Sequence, residues 1–162
     1  MTPMSTGAWP DLGPLAKGYY AVLDPQDPAT MTYWRRVITP KVDGLKPWPA
    51  KAWWGPPVPR RADVPADRAA RDRFIAAWSE SRRTYLTDVV AALVENPTAA
   101  GQRFAEWNTR CCQCSRVLHD ALSKAYGIGP ECRKHLPGDI LARYYTPEVA
   151  RAHAEHVGAN PA

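Results

Sequence analysis

The sequence predicts an α+β protein, a small antiparallel N-terminal sheet packed on helices and followed by a treble-clef-like zinc finger. Three observations carry this. Aromatic and β-branched runs fill the first third of the chain, a helical period replaces them after residue 65, and four cysteines fall within the 22 residues from Cys111 to Cys132.

Gly18-Tyr-Tyr-Ala-Val-Leu23 reads as the first strand, closed by Asp24-Pro25, because aromatic and β-branched side chains suit a pleated surface and Asp-Pro opens a turn. A turn over Asp24 to Thr30 leads to a second strand, Met31 to Thr39, with Tyr33 and Arg35 on one face and Trp34, Arg36 and Ile38 on the other. Lys51 to Trp54 is the expected third strand. So small a sheet needs a helix against it. Gly55 to Pro65 holds four prolines and reads as a linker.

Beyond it, Phe74, Ile75, Trp78, Tyr85, Leu86, Val89, Val90 and Leu93 recur at steps of three and four, the spacing of one helix face. The reading is one helix from about Ala66 to Glu95, or two with a break near Ser79. Phe74, Trp78, Leu86 and Val90 are expected to be buried against the strands. Asn96-Pro97 stops this helix and starts the next, Asn96 as cap and Pro97 at the first position. That second helix carries Phe104 and Trp107 and ends near Asn108; Thr146-Pro147-Glu148 opens a final one. The domain reading is a flexible 1–16, a sheet-plus-helix domain over 17–109, a finger module over 110–136 and a helical tail over 137–162.

Composition is that of a globular chain, with 45% hydrophobic and 23% charged residues. The first residues lack the basic-then-apolar pattern of a signal peptide. No apolar run approaches the roughly 18 residues of a membrane helix. A cytoplasmic setting is expected, where clustered cysteines bind metal more often than they form disulfides. The net charge of +5 is uneven: residues 101–136 hold six Lys/Arg against three Asp/Glu, and residues 1–61 hold eight against four.

Cys111-Cys112-Gln113-Cys114 and, 17 residues on, Cys132-Arg133-Lys134-His135 give a C-x-x-C, a spacer and a C-x-x-H. Zinc takes four thiolate or imidazole ligands tetrahedrally. Cys111, Cys114, Cys132 and His135 therefore form the candidate ligand set for one structural zinc. Gly129-Pro130-Glu131 places Cys132 on the first turn of a helix, where the helix dipole favours a thiolate. The spacer Arg116 to Gly129 has room for a short hairpin and a turn. An iron–sulfur cluster is the competing metal centre, but adjacent Cys111 and Cys112 do not easily serve one cluster. Cys112 is read as a core spectator. His119 and Asp120 compete for the fourth position, and His153 and His156 read as a solvated face.

Cys111-x-x-Cys114-Ser-Arg-Val-Leu118, Asp120, Ser123 and Gly127-Ile-Gly-Pro-x-Cys132 together resemble a small cysteine motif of uncharacterised actinobacterial and bacteriophage proteins, a domain of unknown function. The resemblance covers about 25 residues. It implies a zinc-finger-like element and brings no reaction. Ser115 departs from the glycine usual in that family, at a position that often needs positive φ.

A closed four-ligand shell leaves no open metal position, no deaminase pattern is present, and Gly127-x-Gly129 is too short for a phosphate loop. The expectation is a non-enzymatic accessory protein with no small-molecule substrate. Arginines beside aromatics can hold phosphates and stack bases. That makes Arg116, Arg133, Lys134, Arg35, Arg36, Trp53 and Trp54 candidate nucleic-acid contacts. The alternative is an adaptor or inhibitor that docks on a host protein through the aromatic sheet.

Overall fold

The computed structural model of the chain describes residues 8–159, with side chains through Glu155. Strands β1 (Gly18–Asp24), β2 (Asp27–Ile38) and β3 (Asp43–Pro47) form an antiparallel sheet in the order β1-β2-β3. Six helices follow: α1 (Arg68–Glu95), α2 (Pro97–Asn108), α3 (Ala121–Tyr126), α4 (Pro130–His135), α5 (Gly138–Ala142) and α6 (Pro147–Ala159).

The first hairpin is tighter than the sequence suggests. Asp24 pairs with Asp27, so the turn is Pro25-Gln26 alone, and Asp24 Oδ1 accepts from the Gln26 amide at 2.8 Å. Strand β2 consequently begins at Asp27 rather than Met31. The expected third strand over Lys51–Trp54 is replaced by Asp43–Pro47. Local closure decides this. Thr39 and Val42 close a short turn, with the Thr39 amide donating to Val42 O at 2.7 Å and the Val42 amide donating to Thr39 Oγ1 at 2.9 Å. A segment brought back at once by a tight turn pairs at lower loop-closure cost than an aromatic run ten residues on.

The strand alternation reads as expected, and helices cover both faces. Tyr19 and Ala21 of β1 pack with Phe104 and Ala105 of α2, and Met31, Tyr33 and Trp48 lie against them. Tyr20, Val22 and Trp34 pack on the other side with Tyr85, Val89 and Leu93 of α1, joined by Leu15. Leu15 is 1% exposed, so the described end of the N-terminal segment is anchored in the core; residues 1–7 lie outside the described residues.

Helix α1 is continuous across Ser79. Asp67 caps its start by accepting from the Ala70 amide at 2.9 Å, and Asn96 caps α2 by accepting from the Ala99 amide at 3.1 Å. The buried residues of α1 are Arg82, Tyr85, Val89, Val90 and Leu93. Of the four expected, Val90 is buried, while Phe74, Trp78 and Leu86 are only half-buried. The proline linker, rather than the sheet, meets Trp78, whose indole donates to Pro57 O at 2.7 Å.

Candidate metal centre

Helix α2 ends at Thr109 in the left-handed conformation. The chain then makes a knuckle. Arg110 and Val117 form a one-rung antiparallel bridge, the Cys111 amide donates to Arg116 O at 2.8 Å, and the Ser115 amide donates to Cys111 O at 2.8 Å. Ser115 closes the knuckle at φ 63°, and its carbonyl accepts from Arg110 at 2.9 Å. Positive φ is the conformation for which glycine is the default.

The rest of the spacer differs from the expected hairpin. It is helix α3, capped by Asp120, which accepts from the Ser123 amide at 3.0 Å and from the Ser123 hydroxyl at 2.6 Å. Asp120 is therefore a cap. The Ser123 hydrogen bonds, set against partial burial, hold its carboxyl below the usual range. Gly127 ends α3 at φ 75°, and a Cβ there would lie 2.9 Å from the Ala105 Cβ. Glycine is thus required both for the backbone conformation and for close approach to α2. Gly129 and Pro130 then start α4, with Cys132 in its first turn.

The knuckle and α4 bring three sulfurs together. Those of Cys111, Cys114 and Cys132 lie within 4.8 Å of one another. Thiolates around one tetrahedral zinc, at Zn–S of about 2.3 Å, sit roughly 3.8 Å apart, so the donors need only small adjustments. The amides of Gly129 and Gln113 donate to the Cys111 sulfur at 3.3 and 3.4 Å, the kind of outer contact that orients a metal-bound thiolate. Burial works to raise the Cys111 thiol, but the Gly129, Gln113 and Cys114 hydrogen bonds outweigh it and its pKa is lowered. Cys132 is pushed up to about 12, by burial first and then by the charge of Cys111. One negative charge suits the cluster and a second does not. A divalent cation reverses that balance by neutralising the thiolates. The donor set fits a metal ion of zinc's preferences.

Cys112 takes the role expected of it. It is 1% exposed, and burial followed by the charge of Cys111 pushes its thiol up to about 12. His135 ends α4 with its side chain exposed, and His119 and His153 are exposed too. The three-sulfur cluster includes none of them, and the side chain of His156 lies outside the described residues.

The candidate nucleic-acid contacts separate. Arg116 and Lys134 are exposed, Lys134 pairing with Glu131 at 3.2 Å. Arg133 is half-buried, contrary to its expected exposure beside Cys132. Its guanidinium donates to Ser123 Oγ at 2.8 Å and Ile128 O at 2.6 Å and lies 5.2 Å from the Tyr126 ring centroid. It braces α3 against α4, and no spacing in the sequence marks that role. Arg35 is exposed on β2. Arg36 is 3% exposed and donates to Leu15 O, Val37 O and Asp43 Oδ1, which withdraws it from the surface. Trp53 is 43% exposed beneath Arg82, whose guanidinium carbon is 4.1 Å from its centroid. Trp54 is half-buried and donates to Tyr33 O at 3.0 Å. With both sheet faces covered, the aromatic sheet offers no open platform.

Residues 101–137 match the family of unknown function DUF6011. This similarity spans under a quarter of the chain. No curated protein and no solved structure matches the chain. The DUF6011 segment is a structural unit: the later turns of α2, the knuckle, α3 and α4. It opens at Gly101, where an added Cβ would lie 3.3 Å from the Cys112 sulfur, so its first residue already makes room for the cysteine run. It is docked on the sheet, because the Tyr19 amide donates to Cys112 O at 2.7 Å.

Proposed function

We propose that the chain is a small zinc-stapled accessory protein that binds nucleic acid and carries out no reaction. Zinc would be held by Cys111, Cys114 and Cys132, with His135 turning in from the end of α4 as the fourth ligand. The observation that carries the proposal is the three-sulfur cluster on a knuckle and a helix start, inside a chain of net charge +5. Four protein ligands would close the shell and leave no place for a reactive water. Reduced thiols suit the cytoplasm, and the phage or actinobacterial setting implied by the motif suits an accessory role. No described helix is long and apolar enough to cross a membrane.

Support for nucleic acid comes from exposed cations. Arg35 and Lys46 are register partners across β2 and β3, and both are exposed. The test has two parts. Elemental analysis of the purified protein should find one zinc per chain; no metal, or iron, overturns the zinc half. Fluorescence anisotropy with labelled DNA and RNA should show affinity that falls steeply with salt. No binding at about 50 mM salt, where phosphate contacts are strongest, overturns the nucleic-acid half.

A protein-docking adaptor is the second reading. It is favoured by Trp107 at 60% and Tyr145 at 57% exposure, since aromatic anchors dominate protein interfaces. An aromatic-anchored contact would depend only weakly on salt.

A further inference from the structure

The stripe that buries the second half of α1 does not stop where burial stops. Leu93, Val89, Tyr85 and Arg82 face the core, and the same steps of three and four continue back through Trp78, Ile75, Arg71 and Arg68. No residue of α1 before Arg82 is buried. Its 28 residues span about 42 Å at 1.5 Å per residue, so roughly the first 20 Å runs clear of the core. Ile75 on this face is 46% exposed.

This free half is cationic. Residues 60–73 hold five arginines and three aspartates. Asp63 pairs with Arg60 at 3.1 Å, and Asp67 is committed to the helix cap. Arg61, Arg68, Arg71 and Arg73 are all exposed, and none has an ion-pair or side-chain hydrogen-bond partner among the described residues. Asp72 is the remaining acid. Counted over residues 62–100 the charge is balanced, with five arginines against six acids; folding separates the two, placing Glu80, Asp88 and Glu95 further along the helix.

We infer that the N-terminal half of α1, with Arg61 leading into it, is a docking surface for duplex nucleic acid, which Arg61, Arg68, Arg71 and Arg73 hold by its phosphates. The inference rests on the nucleic-acid reading above and moves the main contact away from the cysteine segment and the sheet. Charge complementarity selects the occupant, since unpaired arginines suit phosphate. Shape agrees, because a helix about 10–12 Å across with its side chains matches a major groove about 12 Å wide.

The test is a salt titration of the full chain against a 20-base-pair duplex of arbitrary sequence. Changing the four arginines together to glutamine should weaken binding at least tenfold at about 50 mM salt and flatten the log–log salt slope by about three units, near 0.9 per phosphate lost. The four-lysine variant keeps the charge and should retain most of the affinity. Circular dichroism and melting of the glutamine variant should match the parent, because these side chains have no partner in the fold. A parent that binds while the glutamine variant binds equally well overturns the inference and leaves the nucleic-acid reading standing. A parent that does not bind overturns both. A glutamine variant that loses binding only to single strands overturns the duplex assignment.

Discussion

The Gly129 amide donates to the Cys111 sulfur at 3.3 Å, so the residue that starts α4 also orients a sulfur of the knuckle. The two halves of the cluster are fixed to each other by backbone, independently of any ion. Cys111 and Cys112 are neighbours with opposite tasks, one facing the cluster and one facing α2 and Tyr144.

That division gives a paired test. Replacing Cys132 with serine should abolish the single zinc and expose residues 110–136 to amide exchange, because metal binding and local folding are linked. Replacing Cys112 with serine should leave zinc content at one per chain and lower stability by about 1–2 kcal/mol, the cost of a buried hydroxyl without a good partner. Elemental analysis and exchange mass spectrometry read both. Equal metal loss in the two variants would assign the wrong cysteine to the ligand set.

Ser115 holds φ at 63° in a conformation that costs an L-residue roughly 1–2 kcal/mol. Replacing it with glycine removes that strain but gives back some freedom in the unfolded chain, and a net gain of about 0.5–1 kcal/mol should remain. Alanine there should destabilise relative to glycine. Denaturant unfolding of the zinc-loaded protein measures both, and a glycine variant less stable than the parent would contradict the strain argument.

Much of this was legible in the sequence, and the exceptions have physical reasons. Local chemistry gave what local chemistry controls: the Asn96 and Pro97 helix boundary, the knuckle spacing, Ser115 as a strained position and the two faces of β2. The third strand was misplaced because the choice between Asp43–Pro47 and Lys51–Trp54 depends on turn closure at Thr39–Val42, not on residue preference. Arg36 and Arg133 were read as surface cations because a charge carries no mark of burial. Only the carbonyls of Leu15 and Ile128, at 3.2 and 2.6 Å, show that they are structural. Trp78 fits the helix period, but the sheet ends before reaching it, and period alone does not say how far a partner extends.

Three buried tyrosines set an alkaline limit. Burial, followed by the neighbouring Cys112, pushes the Tyr20 phenol from 10.0 up to about 12, and its hydroxyl donates to Ala16 O at 2.6 Å. Burial also raises Tyr85 and Tyr144. A folded pKa above the unfolded value means that the stabilisation is fully present below pH 10 and is lost as pH rises through the folded value. Stability should therefore fall above pH 10, with each such phenol adding up to about 1.4 kcal/mol per pH unit to the slope. Replacing Tyr20 with phenylalanine should cost about 1 kcal/mol at neutral pH through the lost hydrogen bond and remove about one proton from the alkaline slope. Chemical denaturation at pH 8 to 11.5 reads it, and an unchanged slope would contradict the assignment.

Arg35 and Arg36 are sequence neighbours on β2 that point to opposite faces, and substitution should separate them cleanly. Arg36 is 3% exposed and joins three parts of the chain: Leu15 O at 3.2 Å, Val37 O at 3.0 Å and Asp43 at 2.5 Å. Removing the guanidinium leaves the Leu15 carbonyl without that donor and frees both the N-terminal segment and the start of β3. Arg36→Ala should therefore cost about 2–4 kcal/mol. Arg35 is exposed and has a cation–π contact 5.5 Å from the Tyr19 ring centroid. Such exposed contacts are worth about 0.5–1 kcal/mol, so Arg35→Ala should cost no more than that. If both cations bound nucleic acid, both variants would weaken binding. The burial of Arg36 means that at a temperature where both proteins are folded, only Arg35→Ala should change the salt slope. Unfolding curves and a salt titration on the same two proteins decide it, and a larger stability loss in Arg35→Ala than in Arg36→Ala would contradict the placement of the two side chains.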